Sequence, residues 1–78
     1  MDKQTCARVI HALAALRDCN GDVEKAAAKL GTSPEYMTGA LAEAGPNFYV
    51  DPGDGRLIPS QMGLRFATQV HVFPHVSW

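Results

Sequence analysis

Residues that could bind a metal ion or carry out acid–base chemistry are few in this chain, and they are scattered. His71 and His75 stand four residues apart, a spacing that on a helix would direct both imidazoles toward one metal ion. Pro74 between them argues against a helix, and no cysteine or carboxylate close by in sequence completes the ligand set. The sequence also lacks a phosphate-binding loop and a recognisable catalytic constellation. We therefore expect no metal site, no cofactor and no enzymatic activity.

A second kind of chemistry is phosphate contact by basic side chains. The candidates are Lys25, Lys29, Arg56 and Arg65. Acidic residues interleave with them, among them Glu24, Asp51 and Asp54, so a solvated face of mixed charge is the alternative. The formal net charge is −1, whereas isolated nucleic-acid-binding domains are usually basic because phosphate contacts supply most of their affinity. The charge pattern leaves both interpretations open.

Helical periodicity and capping signals predict the elements that hold these residues. A first helix is expected from about Lys3 to Cys19, because its apolar residues recur at helical spacing. A second is expected over Val23–Leu30, capped by Asp22, and a third over Pro34–Ala44, capped by Ser33. The length of the chain predicts a single domain. The chain has many alanines, and these bury little surface area. We expect marginal stability as a monomer, which a dimer would improve.

The periodicity changes after the third helix. Two short strand candidates, Asn47–Val50 and Arg56–Pro59, flank the turn sequence DPGDG, which predicts a small hairpin. Ser60 is the expected cap of a fourth helix, about Gln61–Gln69. Its inward residues are predicted to be Leu64, Ala67 and a further candidate, Val70. The apolar tail at 71–78 contains Pro74 and cannot be one helix; it could form a strand, an arm over the core, or part of a dimer interface.

Four other side chains have alternative interpretations. Tyr36, in the first turn of the third helix, could contact a base or anchor a protein partner, but we favour packing against the hairpin. His11 lies near the apolar stripe of the first helix and is interpreted as a partly buried structural histidine. Cys6 and Cys19 would be about 20 Å apart on one helix, too far for a disulfide. Free thiols and the lack of a signal peptide or membrane span predict a cytoplasmic protein with no membrane partner.

The segment Asn20–Gly45 has the spacing of a helix-turn-helix, and the hairpin after it makes a winged helix. We therefore predict a mainly α fold with a small β-hairpin, a three-helix core plus wing and a fourth helix. The segment resembles the helix-turn-helix of the factor for inversion stimulation and of nitrogen-type response regulators. Extended through LIPSQMGLRF, it resembles the N-terminal winged helix of LysR-type and molybdate-responsive regulators. Leu57–Gly63 approximates their Leu-Thr-x-x-Gly-like motif, and the resemblance covers roughly Val9 to Val70.

The resemblance implies double-stranded DNA as the partner and assigns the third helix to the major groove. The DNA-contacting residues that follow from it are Lys25, Lys29, Ser33, Pro34, Glu35, Tyr36, Thr38 and Arg56, with Gly39 also at the groove-facing start of the helix. The implied protein is a small bacterial or phage transcriptional regulator, expected to be a homodimer. Its winged helix-turn-helix domain would span residues 1–70 and its apolar tail residues 71–78.

One feature of the third helix supports other functions. Between Thr32 and Val50 there is no Lys, Arg or His, and the only charged residues are Glu35 and Glu43. The first alternative is a protein-interaction module on a winged-helix scaffold, such as a phage or mobile-element modulator of a host protein. Four aromatic residues expected to be exposed also favour it: Tyr36, Phe48, Phe73 and Trp78. The second is an assembly or DNA-packaging accessory protein whose apolar tail drives oligomerisation.

Overall fold

The computed structural model describes residues 1–78, and helix α1, Lys3–Asp18, lies at the centre of the fold. The other three helices pack around it, so α1 is buried on most of its circumference. Its large apolar residues Val9, Ile10, Leu13 and Leu16 are fully buried, as the periodicity predicted. The carboxylate of Asp2 accepts a hydrogen bond from the Thr5 backbone N–H and caps the helix. That bond holds the pKa of Asp2 below its ordinary value.

Helices α2, Val23–Leu30, and α3, Pro34–Ala44, have the predicted boundaries. The Asp22 carboxylate accepts from the Lys25 backbone N–H at 3.0 Å, and the Ser33 hydroxyl accepts from the Tyr36 backbone N–H at 3.2 Å. Gly31 ends α2 in the left-handed conformation, with φ 72°, which glycine adopts without a Cβ clash. Both predicted caps are therefore confirmed.

The predicted hairpin is present, but its strands have only two residues each. Strand β1, Tyr49–Val50, pairs antiparallel with β2, Ile58–Pro59. Arg56 forms an isolated bridge with Asp22 instead of extending β2, and the Leu57 N–H donates to the Gly21 carbonyl at 2.9 Å. The hairpin is consequently tied to the connection between α1 and α2.

Helix α4, Gln61–Ala67, begins after the predicted cap Ser60 and ends two residues before the predicted Gln69. The chain continues as a 3-10 turn, Thr68–His71. The prediction for Leu64 was wrong, since 40% of this residue is exposed. Gly63 is buried instead, and it packs so closely on Phe48 that a Cβ there would overlap the Phe48 carbonyl oxygen. Ala67 is buried and Val70 is half-buried on the same side, so the two other predictions hold.

The C-terminal arm, residues 72–78, has no regular secondary structure and runs back along α1. His11 Nε2 donates to the Phe73 carbonyl, and Arg8 Nε donates to the Ser77 carbonyl at 2.6 Å. Trp78 packs against the core at the end of this path. Of the three structures left open for the tail, the arm over the core is the one found. None of the helices combines the length and apolar character that crossing a bilayer requires.

Candidate functional site

The outer side of α3 is open to solvent. Its inward residues Met37 and Leu41 are fully buried against the core. Its outward residues are Glu35, Tyr36, Gly39, Ala42 and Glu43, all exposed. Tyr36 keeps 66% of its surface accessible, although an aromatic ring of this size gains free energy from burial. The helix is thus available as a contact element, and the C-terminal arm does not cover it.

Several of the sequence-predicted DNA-contacting residues are engaged in local structure. Ser33 caps α3, and the Thr38 hydroxyl donates to the Glu35 carbonyl at 3.2 Å within the helix. Pro34 and Thr38 line a shallow cavity that they share with the hairpin loop. Arg56, at the end of that loop, lines the same cavity. The structure therefore places the start of α3 next to the loop that carries Arg56.

The cations on this side are largely paired within the molecule. Lys29 Nζ lies 3.3 Å from Asp18 Oδ2, and Arg17 Nε lies 3.1 Å from Asp18 Oδ1. The hydrogen bonds from Arg17 and then Lys29 hold the pKa of the Asp18 carboxyl below its ordinary value. Among the predicted phosphate-contacting residues of α2, only Lys25 has no carboxylate within salt-bridge distance.

Arg56 is paired in the same way, with Asp54 in the hairpin loop. Arg56 Nη2 lies 2.9 Å from Asp54 Oδ2. Desolvation is the largest single influence on the pKa of Asp54 and raises it, but the hydrogen bonds and charge of Arg56 together outweigh it and lower that pKa. The Asp51 carboxylate accepts from the Gly53 N–H at 2.9 Å, which stabilises the turn. Both loop carboxylates therefore shape the loop, and Asp54 alone neutralises its one arginine.

The summed charge of α2, α3 and the hairpin loop is negative. Three cations stand against five carboxylates: Lys25, Lys29 and Arg56 against Glu24, Glu35, Glu43, Asp51 and Asp54. A surface that contacts phosphates needs the opposite balance, because neutralised phosphates and released counterions supply the affinity. Around α3 the electrostatics therefore disfavour a polyanion.

A groove runs between α1 and α3. Arg8, Glu35, Tyr36, Gly39, Glu43 and Trp78 line it. The prediction that Tyr36 packs against the hairpin was wrong: the residue is 66% exposed and lines this groove with residues of α1 and the arm. The predicted set of DNA-contacting residues omitted Arg8, Glu43 and Trp78. The four-residue spacing of Glu35, Gly39 and Glu43 could have indicated one face, but no local signal places Trp78 there.

The histidines form no metal site in this structure. His71 Nδ1 contacts the Thr68 carbonyl at 3.1 Å, while His75 lies on the arm beside Lys3. No cluster of three or more His, Cys, Asp or Glu residues is present.

Comparisons with protein families, curated proteins and solved structures gave no match for this chain.

Proposed function

We propose that the chain is a winged helix-turn-helix domain whose third helix contacts another protein. The order of α2, a tight turn at Gly31, α3 and then a hairpin supports the fold assignment. The proposed function is supported most directly by the residues exposed on the outer side of α3. It presents an exposed tyrosine between two carboxylates, neither of which has a cationic partner within salt-bridge distance.

Protein interfaces and phosphate-binding surfaces need different side chains. Tyrosine and tryptophan are enriched among the residues that dominate binding between proteins, because a large rigid ring is buried at low entropic cost. Tyr36 and Trp78 both line the α1–α3 groove. Cations are scarce here: Lys29 and Arg56 are paired with carboxylates, and α3 has no basic residue. A protein partner fits this combination better than DNA does.

The test is capture of a binding protein from cells of the source organism with two matched variants. Tyr36→Ser removes an exposed side chain from α3, and Met62→Ser removes one of similar exposure, 52%, from α4. We expect a protein that is retained by the wild type and by Met62→Ser and is lost with Tyr36→Ser. Equal retention by all three, or equal loss with both variants, would place the contact elsewhere and contradict the proposal.

A second candidate function is the DNA-binding transcriptional regulator that the resemblance implies. The position of the hairpin loop beside the start of α3 favours it, because a wing and a recognition helix contact DNA together. Its test is fluorescence anisotropy of a mixed-sequence duplex of about 20 base pairs across a salt series. Tight binding that weakens with salt and with Lys25→Ala or Arg56→Ala would support this candidate. Lack of binding by folded protein at low salt would reject it.

No observation favours the assembly or packaging function. That function needs an apolar tail that is free to drive oligomerisation, but the half-buried tail residues Phe73, Val76 and Trp78 lie along their own α1 or against the core. A homodimer and a cytoplasmic location stay predictions.

A further inference from the structure

Gly39 leaves an open gap on the outer side of α3. A Cβ built at this position would meet no atom within 4 Å. The residue also lacks the positive φ that favours glycine. Neither packing nor backbone conformation therefore requires glycine here, and glycine weakens a helix interior relative to alanine. The consequence is a bare stretch of helix surface in the wall of the α1–α3 groove.

Two carboxylates flank this gap along the helix. Glu35 lies one turn before Gly39 and Glu43 one turn after it, so all three share a face. Both side chains are exposed and have no Lys, Arg or His nitrogen within salt-bridge distance, unlike Asp18 and Asp54. Their charges are thus available to a partner.

The rest of the groove adds aromatic surface and one cation. Tyr36 is next to the gap on α3, and Trp78 stands on the arm side. Arg8 lines the α1 wall, where its Nε is already engaged by the Ser77 carbonyl at 2.6 Å. Glu35 and Glu43 contribute two negative charges to the groove and Arg8 contributes one positive charge, so the groove is net negative. Its charge therefore complements a cation.

We propose that this groove binds a lysine or arginine side chain from a segment of the partner protein, an inference that rests on the proposed function. The cationic head lies between the carboxylates of Glu35 and Glu43, and its aliphatic stem crosses the surface that Gly39 leaves bare. The Tyr36 ring adds a cation–π contact. A side chain at position 39 would occupy the path of the stem.

The experiment is an amide NMR titration of the whole chain with acetyl-Gly-Arg-Gly-amide. The matched probe replaces arginine with citrulline, which keeps the shape and removes the charge. We expect chemical shift changes over Glu35–Glu43 and at the Trp78 indole with the arginine peptide only. Glu35→Gln and Glu43→Gln should each weaken binding about threefold, the size expected for a solvent-exposed ion pair.

Two bulky substitutions on α3 separate the groove from the rest of the helix. Gly39→Leu should abolish the response, whereas Ala42→Leu, at an exposed position outside the groove, should preserve it. The dispersion of each variant's spectrum reports that it is folded. Equal binding of the citrulline peptide, no binding of either peptide, binding that survives Gly39→Leu, or shifts centred on the loop carboxylates Asp51 and Asp54 would each overturn the inference.

The two proposals fail in distinguishable ways. A protein captured through Tyr36 together with no arginine-peptide response would refute the cationic ligand and leave the protein contact standing. An arginine-peptide response without a Tyr36-dependent protein partner would refute the proposed function instead.

Discussion

Helices α3 and α4 each contain an interior glycine, and the two positions have opposite surroundings. A Cβ at Gly63 in α4 would overlap the Phe48 carbonyl oxygen and lie 3.2 Å from Leu13 Cδ2. A Cβ at Gly39 in α3 would meet nothing. Packing therefore explains the glycine in α4 and leaves the one in α3 unexplained by the fold. The proposed contact surface on the outer side of α3 thus contains a glycine that neither packing nor backbone conformation requires.

The largest expected effect is that of Gly63→Ala. The added methyl must displace the Phe48 backbone or move α4, since the space is filled. We expect the free energy of unfolding to fall by about 2–3 kcal/mol, the cost of overpacking a tight contact. Urea denaturation followed by far-ultraviolet circular dichroism measures this. A midpoint equal to that of the wild type would remove the packing explanation for Gly63.

Substitutions of Trp78, which lines the α1–α3 groove from the arm, should have an intermediate effect on the free energy of unfolding. Trp78→Ala removes a half-buried ring that packs against the core, and we expect a loss of about 1–2 kcal/mol. Trp78→Phe should cost less, because the indole Nε1–H is buried without an acceptor and its removal leaves no group unpaired. The same denaturation assay compares the two variants. A Trp78→Phe loss as large as that of Trp78→Ala would mean that the indole nitrogen has a partner.

Gly39→Ala should act in the opposite direction. Alanine fits the open space and strengthens a helix interior, so we expect a gain of about 0.5–1 kcal/mol in the free energy of unfolding. Thermal and urea denaturation of this variant beside Gly63→Ala test the contrast directly. Destabilisation by Gly39→Ala would show a structural requirement at this position and break the comparison.

The smallest expected effect is that of removing the Asp18 carboxylate, which is paired with Arg17 and Lys29. The Asp18 carboxyl has a lowered pKa in the folded chain, so its contribution to stability is fully present above its unfolded pKa of about 3.9. That contribution is lost as pH falls through the lower folded value. Denaturation of wild type and Asp18→Asn should give a small difference that is constant from about pH 5 to 8 and vanishes in acid. A difference that grows as the pH falls would contradict a lowered pKa of Asp18 in the folded chain.

The features that sequence predicted well are those with local causes. Asp22, Ser33 and Ser60 each cap a helix through a hydrogen bond to a nearby backbone N–H, so residue type alone indicates the helix start. Glycine at position 31 similarly indicates where α2 ends. These signals act within a few residues and do not depend on the rest of the fold.

The features that sequence missed depend on contacts between distant segments. Leu64 is exposed because the close approach of Gly63 to Phe48 sets the rotation of α4, and hydrophobic periodicity does not report that contact. Tyr36 and Trp78 share a groove only because the arm returns along α1. The pairing of Lys29 with Asp18 crosses between two helices. The charge balance around α3 can be read from the sequence. The pairing of Lys29 and Arg56 with carboxylates cannot.

The most direct test of the central claim is photo-crosslinking in cells of the source organism, with p-benzoylphenylalanine in place of Tyr36. The same amino acid at Met62 is the control on α4. Adducts can be separated into protein and nucleic acid by protease and nuclease digestion. The account predicts a discrete protein adduct from position 36 that is missing from position 62. An adduct at position 36 that consists of DNA would contradict it.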